Sequence, residues 1–336
     1  MDDQLDPVIM PPLKTEKEKE AEKKENKILY NGYDLIRNPI TEIPKLLDPL
    51  FPKVSSVSLV GTSDLGKSTL LRQFALAVSM GDTKFLGWDL KAEHKRALYV
   101  STEDDNDAST IQLKRFNEVR KKDDVDFKGI TFIYDIFKLK DTVENYVKEN
   151  PIDVLIMDAY LDIYSGTNSK NDGGQIRQFL TDYDQLAKKY KFLVIWNHHC
   201  KKGTQAFEPG KDNVLGSQSF EAKMRLVCEM RPDLVDDHRR HLCFIKGNYL
   251  APEYKIESYV LELDPYTLYF KNTGERELFE NLRIEVKKKE DLKKMVIAQH
   301  EEGKTLREIE TDIRSQGYKI SKSSIHRTVK AYKKDD

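Results

Sequence analysis

The chain has 336 residues, 39% of them hydrophobic and 34% charged, with a formal net charge of −1. That length holds one large domain plus a small one, and so modest an apolar content implies a packed core flanked by solvated segments. No apolar run approaches a membrane span and the N-terminus is acidic, so a cytoplasmic protein with no membrane partner and no secretory signal is expected; Cys200, Cys228 and Cys243 lack paired metal spacing and are expected as reduced thiols.

In chain order, Lys14 to Lys27 (KTEKEKEAEKKENK) mixes both charge signs without an apolar stripe, and residues 1–28 read as a disordered charged tail. From Pro39 to Pro52, prolines punctuate apolar residues, which predicts an ordered strap rather than a long helix. Val57, Leu59 and Val60 form a buried strand, and Ser68 to Val78 a helix. Between them lies Gly61-x-x-x-x-Gly66-Lys67-Ser68, a phosphate-binding spacing. Its glycines let backbone N–H groups face a phosphate, and the helix start adds the positive end of its dipole. The segment Gly61, Thr62, Ser63, Asp64, Leu65, Gly66, Lys67, Ser68 and Thr69 is therefore the candidate ATP site. Lys67 would reach the β- and γ-phosphates, and the Ser68 hydroxyl would ligate Mg²⁺.

Further strands are predicted at Ala97–Ser101, Ile130–Tyr134, Val154–Met157 and Phe192–Trp196, with helices at Ala108–Lys121, Thr142–Glu149 and Gln175–Lys189. This alternation means an α/β fold, a mainly parallel sheet covered by helices on both faces. Segments Leu242–Lys246, Lys255–Leu263 and Thr267–Lys271 suggest an antiparallel extension.

Three strand ends carry candidate chemistry. Asp158 can support the metal, usually through water, and Glu103 can orient and deprotonate the attacking water. Asp104 and Asp105 read as loop or cap residues. Asn197, His198 and His199 end a further strand, where a donor can sense the γ-phosphate. Adjacent side chains on a strand point to opposite faces, which disfavours a joint histidine metal site.

These segments resemble the RecA-like P-loop ATPases, in particular the group containing the RepA-type hexameric replicative helicases. The strap, KFLGWDL, ALYVSTED, VLIMDAYLDIYSGTNSKND, NHHCKKG and GSQSFEAKMR occur in the order that group shows, covering roughly Pro39 to Lys271. The resemblance implies a homo-oligomeric ring or filament, hexameric in that group, with ATP between neighbouring subunits. It makes Gly61, Gly66, Lys67 and Ser68 the phosphate loop, Glu103 the catalytic acid, Asp158 the metal-supporting acid, and His198 or His199 the sensor. Arg225 matches the arginine ending the Gly-Ser helix. Members commonly carry arginine immediately before that Gly-Ser pair, where this chain has Leu215. The trans-acting charge then falls to Arg225 or to Lys246 in FIKGN.

From Asn281 to the end, 15 Lys+Arg face 10 Asp+Glu, a local balance of +5. Helices are predicted at Asp291–His300, Leu306–Ser315 and Lys322–Tyr332, with a capping box at Thr305–Glu308 and Ser321 capping the third. This region resembles the helix-turn-helix of recombinases and transposases, which would bring Lys322, Ser323, Ser324, His326 and Arg327 to DNA. A protein-docking bundle is the alternative. The domains expected are thus the tail to residue 28, a RecA-like ATPase domain over 29–280 and a helix-turn-helix domain over 281–336. The function expected is a DNA-dependent ATPase or helicase of replication or mobile-element type. The alternative is a regulatory ATPase that switches a recombinase or replication initiator without unwinding DNA. A small-molecule kinase lacks an arginine-rich lid here, and a GTPase lacks its guanine-reading motif.

Overall fold

The computed structural model describes residues 29–165, 173–216, 218–316, 318 and 320–335. The charged tail expected over residues 1–28, part of SGTNSKND and Ser217 lie outside the described residues. A boundary after residue 43 divides the described residues into two units, the first from residue 29 to 43 and the second from residue 44 onward. In the first, helix α1 (Gly32–Ile36) is capped by Asn31, whose side-chain oxygen accepts the Asp34 N–H at 2.8 Å.

The second unit begins with β1 (Lys45–Asp48), β2 (Phe51–Pro52), β3 (Ser55–Gly61), α2 (Lys67–Ser79), β4 (Lys84–Phe85) and β5 (Trp88–Leu90). It continues with β6 (Ala97–Ser101), α3 (Asn106–Arg120), β7 (Ile130–Ile133), α4 (Leu139–Glu149), β8 (Val154–Asp158), α5 (Tyr160–Ser165), α6 (Gly173–Tyr190) and β9 (Leu193–His199). Then follow α7 (Gln218–Lys223), β10 (Leu226–Pro232), β11 (Arg239–Gly247), β12 (Glu257–Leu263), β13 (Phe270–Leu278), α8 (Ile284–Glu301), α9 (Leu306–Ser315) and α10 (Lys322–Asp335).

The main sheet has nine strands in the order β13-β12-β11-β10-β3-β9-β8-β6-β7. From β10 to β7 every neighbouring pair is parallel, whereas β11, β12 and β13 join antiparallel. The expected α/β architecture and its antiparallel extension are both present. All five residues of β6 and of β8 are buried, as parallel strands covered on both faces require. On one face, Tyr99, Ile156 and Ile195 pack with Leu70, Leu71 and Phe74 of α2. On the other, Leu98, Leu155 and Trp196 pack with Val143 of α4, Leu180 of α6 and Phe220 of α7.

Two features escape the sequence pattern. The proline strap and KFLGWDL form a small antiparallel sheet, order β2-β1-β5-β4, whose Leu46, Leu47, Phe85 and Leu90 join the core beside α2. Its strands of two to four residues are too short to show a period of two. Strand β10 is the second, because Glu229 and Arg231 interrupt its apolar run. Their side chains are only 1% and 3% exposed, paired at 2.7 Å. Glu229 also accepts from Gly210 N and Asn213 Nδ2, at 3.0 and 3.1 Å. Arg231 donates to the carbonyls of Thr204 and Phe207 at 2.8 and 2.7 Å, and to that of Leu282 at 3.3 Å.

The C-terminal helices bury a core of their own: Val296, Ile309, Ile313, Ile320, Ile325 and Val329. Thr305 and Glu308 form the anticipated capping box, and Ser321 Oγ accepts the Ser324 N–H at 3.3 Å.

Glu229→Ala leaves the Arg231 guanidinium buried without its counter-charge. It should lower stability by about 3–5 kcal/mol, read as a lower urea midpoint at unchanged slope. A loss under about 1 kcal/mol would mean that the guanidinium is solvated and the pair is not a core element.

Candidate active site

Glycine is required twice in the loop between β3 and α2. A Cβ on Gly61 would lie 2.6 Å from the Met230 carbonyl oxygen of neighbouring β10. Gly66 has φ +82°, and a Cβ there would lie 2.9 Å from the Phe270 ring. Gly66 is also the N-cap of α2 and no side chain caps that end, so the first-turn N–H groups are available to an anion. Outside the loop, Arg240 Nε donates to the Leu65 carbonyl at 3.1 Å and ties it to β11. Lys67 is buried and donates from Nζ to the Thr62 carbonyl at 2.7 Å. Burial lowers its pKa, opposed by Cys200, Asp158, Glu103 and Asp64.

Asp158 ends β8 opposite Ser101 of β6, on the face covered by α2, and is buried. Tyr99 donates from its hydroxyl to one carboxylate oxygen, and Asn197 from its amide to the other. The same Asn197 amide reaches Ser68 Oγ at 3.2 Å, so one side chain touches both groups proposed to support the metal. Thr102 donates its N–H to the Asp158 carbonyl at 2.8 Å, and its hydroxyl accepts the Ala159 N–H at 3.0 Å. Glu103 follows directly. Burial, reinforced by Asp158 and Asp162 and opposed by Lys67, holds its carboxyl above the usual carboxylate range. Asp104 is engaged by Arg72 at 2.7 Å, and Asp105 caps α3 by accepting the Ala108 N–H at 2.9 Å.

Alternation along β9 separates the three polar residues at its end. Asn197 points to the α2 face. His198 points to the other face, packed against Tyr160 and Phe220 and hydrogen-bonded to the Leu215 carbonyl at 2.9 Å. Burial pushes its pKa down to about 4. His199 returns to the loop side, opposite Gly61; burial and then Lys67 lower its pKa, against Asp162 and Asp158. The two histidines do not share a site, and among the described residues no group of three or more His, Cys, Asp or Glu could hold a metal ion.

Arg225 and Lys246 lie at the opposite end of the sheet. Leu226 pairs with Val57 while Met230 pairs with Gly61, so Arg225 is set back from its own phosphate loop by roughly 16 Å of strand. It is exposed, without a side-chain partner among the described residues, whereas Lys246 pairs with Glu221 at 2.9 Å. In α10, Lys322, Ser323, His326 and Arg327 are exposed and Ser324 is half-buried, around the inward-facing Ile325 and Val329.

The geometry brings Lys67, Ser68, Glu103, Asp158 and His199 together at the carboxyl ends of parallel strands, the usual ligand end of such a sheet. It gives Asn197, the first residue of NHHCKKG, the contact to both Ser68 and Asp158, and adds two residues to which the sequence assigned no role, Tyr99 within ALYVSTED and Arg240. The free helix N-terminus and glycine cradle fit a nucleotide's phosphates. Ser68 Oγ and the Asp158 carboxylate, oxygen donors held by one amide, fit Mg²⁺, which when bound would neutralise charge on the β- and γ-phosphate oxygens. Lys67 would exchange the Thr62 carbonyl for phosphate oxygen. Glu103, with its raised pKa, is suited to take a proton from water.

Fold and site together define a P-loop ATPase of RecA-like architecture. Residues 27–205, more than half of the chain, match the AAA domain family, and the chain belongs to that family. Among solved structures it is similar to a KaiC-like protein, PH0186, from the hyperthermophilic archaeon Pyrococcus horikoshii OT3. The TM-score is 0.48 at 16% identity, covering 68% of this chain and 93% of that one. None of the curated proteins matches the chain.

Glu103→Gln should retain binding of a non-hydrolysable ATP analogue and stall turnover. In the unsubstituted protein, turnover should fall on the acid side as Glu103 takes up a proton, beginning above the pH at which a free glutamate, of pKa about 4.3, would protonate. Normal turnover by the variant would remove Glu103 from the chemistry.

His198 gives a separate pH effect. From pH 6.5 down to about 4 the unfolded chain binds a proton that the folded chain refuses, so the contribution is complete above that window and lost as pH falls through it. The loss is on the order of 3 kcal/mol. Denaturation of His198→Gln across the same window should show a shallower pH slope; an unchanged slope would mean that the ring protonates in place.

Proposed function

We propose that this ATPase acts on DNA. It assembles as a homo-oligomeric ring or filament, hydrolyses ATP between subunits of the 29–280 domain, and is addressed to duplex DNA by residues 281–336 acting as a helix-turn-helix. The observation that carries this reading is α10, which turns Ile325 and Val329 into a small core and leaves Lys322, Ser323, His326 and Arg327 facing solvent. Those side chains supply the cationic and hydrogen-bonding groups that phosphates and base edges accept. Arg225, far from its own loop and exposed, supports hydrolysis across an interface, since only a neighbour's phosphates would come within its reach. Replication or recombination of a mobile element, with a replication or recombination protein as partner, is the setting that fits an ATP-driven DNA binder of this build.

Three measurements on the full chain test the reading. ATP turnover should rise with DNA, and the particle should enlarge with a non-hydrolysable analogue. Duplex binding should weaken steeply with salt, because neutralised phosphates release counterions. Arg327→Ala should cost roughly 1–3 kcal/mol of binding and relax sequence preference. No DNA binding even at low salt would overturn the proposal in favour of an ATPase that switches a protein partner, and strand separation in a fork assay would extend it to a helicase.

A further inference from the structure

Arg72 lies on α2 four residues beyond Ser68, so it shares a helix face with that residue, and its side chain is only 4% exposed. Its guanidinium lies over the Tyr99 ring, 5.3 Å from the centroid. Nη2 pairs with Asp104 Oδ2 at 2.7 Å and donates to Ser101 Oγ at 3.3 Å, while Nη1 donates to Gln112 Oε1. Ser101 Oγ in turn donates to the Asp104 carbonyl at 3.1 Å, and Gln112 Nε2 donates to Thr69 Oγ1 at 3.0 Å. The helix that carries Lys67 and Ser68 is thereby fastened to the end of β6, to the turn beyond it and to α3.

Glu103 sits in that turn. Its carboxylate has no side-chain hydrogen bond or ion pair among the described residues, so its position comes from the backbone on either side. Thr102 N–H is held by the Asp158 carbonyl at 2.8 Å, and Asp104 is held by Arg72. One neighbour ties the turn to the metal-supporting strand and the other to the phosphate-loop helix. A fold gains little from a buried cation joined to a part-exposed carboxylate, because desolvation offsets the Coulomb attraction. Geometry gains more: a base must lie within hydrogen-bond reach of its water, and a displacement of about 1 Å costs on the order of 10²-fold in rate.

We infer that Arg72 and Asp104 are positioning residues for hydrolysis: their ion pair makes the phosphate-loop helix and the Glu103 turn one rigid piece, which sets the base against the bound phosphates. Neither touches the nucleotide. The inference rests on Glu103 being the residue that activates water.

The test is carried out on the full chain with Arg72→Lys, Asp104→Asn and the double variant, each alone and combined with Glu103→Gln. In the Glu103 protein, kcat should fall by about 10²-fold with analogue affinity kept within about twofold, and the double variant should be no worse than the poorer single one, since both break one link. In the Glu103→Gln background the same substitutions should leave the residual rate unchanged, because the group they position is gone. Asp104 is 40% exposed and carries the test if Arg72→Lys fails to fold. An unchanged kcat, a loss confined to KM and analogue affinity, or an equal loss in both backgrounds would each overturn the positioning role. Full turnover by Glu103→Gln alone is a separate result, which would overturn the choice of base and this inference with it.

Discussion

Asp158 is a carboxylate buried at 2% exposure, and an ionised group taken out of water must find donors inside the protein. The nucleotide end of the molecule is arranged around that requirement. Tyr99 reaches one oxygen from β6 and Asn197 the other from β9, so the strands on both sides of β8 each contribute a donor. This works only in the observed registers, with Ser101 opposite Asp158 and Trp196 opposite Met157, because a slip of one residue would turn Tyr99 or Asn197 to the other face. The register of β3 against β9 in turn brings Gly61 level with His199 and delivers the phosphate loop to the carboxylate. Strand β9, inserted between the loop strand and the acid strand, therefore serves both as spacer and as source of the amide that joins Ser68 to Asp158.

The electrostatics of the site follow from this burial. Lys67 is held among Asp158, Glu103 and Asp64, and these favour its charged form against a desolvation that acts the other way. Glu103 shares the field with the signs exchanged: Lys67 favours its charged form, while burial, Asp158 and Asp162 oppose it. A carboxylate gripped by two neutral donors and a neighbouring carboxylate pushed toward protonation are two settings given to one residue class by its environment. His198 stands outside the arrangement. Its ring is desolvated on the far side of β9 and contributes to packing against Tyr160 and Phe220.

Much of this could be read from the sequence, and the rest was hidden for physical reasons. Ala97–Ser101 appears as a strand with the predicted limits, and Val154–Asp158 is one residue longer than its apolar run, because these strands are buried on both faces. Helix starts drift where a polar cap is itself a candidate for chemistry: α3 begins at Asn106, two residues early, because Asp105 is its N-cap. Alternation dictates that Asn197 and His198 face opposite ways, but not which face α2 covers, and that fact makes Asn197 the contact to Asp158. Tyr99 was concealed as an aromatic within an apolar run, its hydroxyl visible as a donor only once β8 lies beside it. Strand β10 was concealed by Glu229 and Arg231, because a charged pair inside a strand reads as solvated surface until both partners are known to be buried.

That concealed strand also joins the two ends of the second unit. Met230 backs the phosphate loop through its carbonyl, close enough that position 61 admits only glycine. The next residue, Arg231, binds the carbonyls of Thr204 and Phe207, in the loop that leaves β9 after His199, and of Leu282, two residues before α8 begins. A guanidinium has a fixed planar fork, so these acceptors cannot move independently without losing a bond to a buried cation. Displacement of residues 204–207 must therefore either carry the root of the C-terminal helices with it or break part of this network. The loop beyond the β9 strand end and the residues just before the C-terminal helices are thus tied to one guanidinium, carried by a residue whose neighbour in the chain backs the phosphate loop.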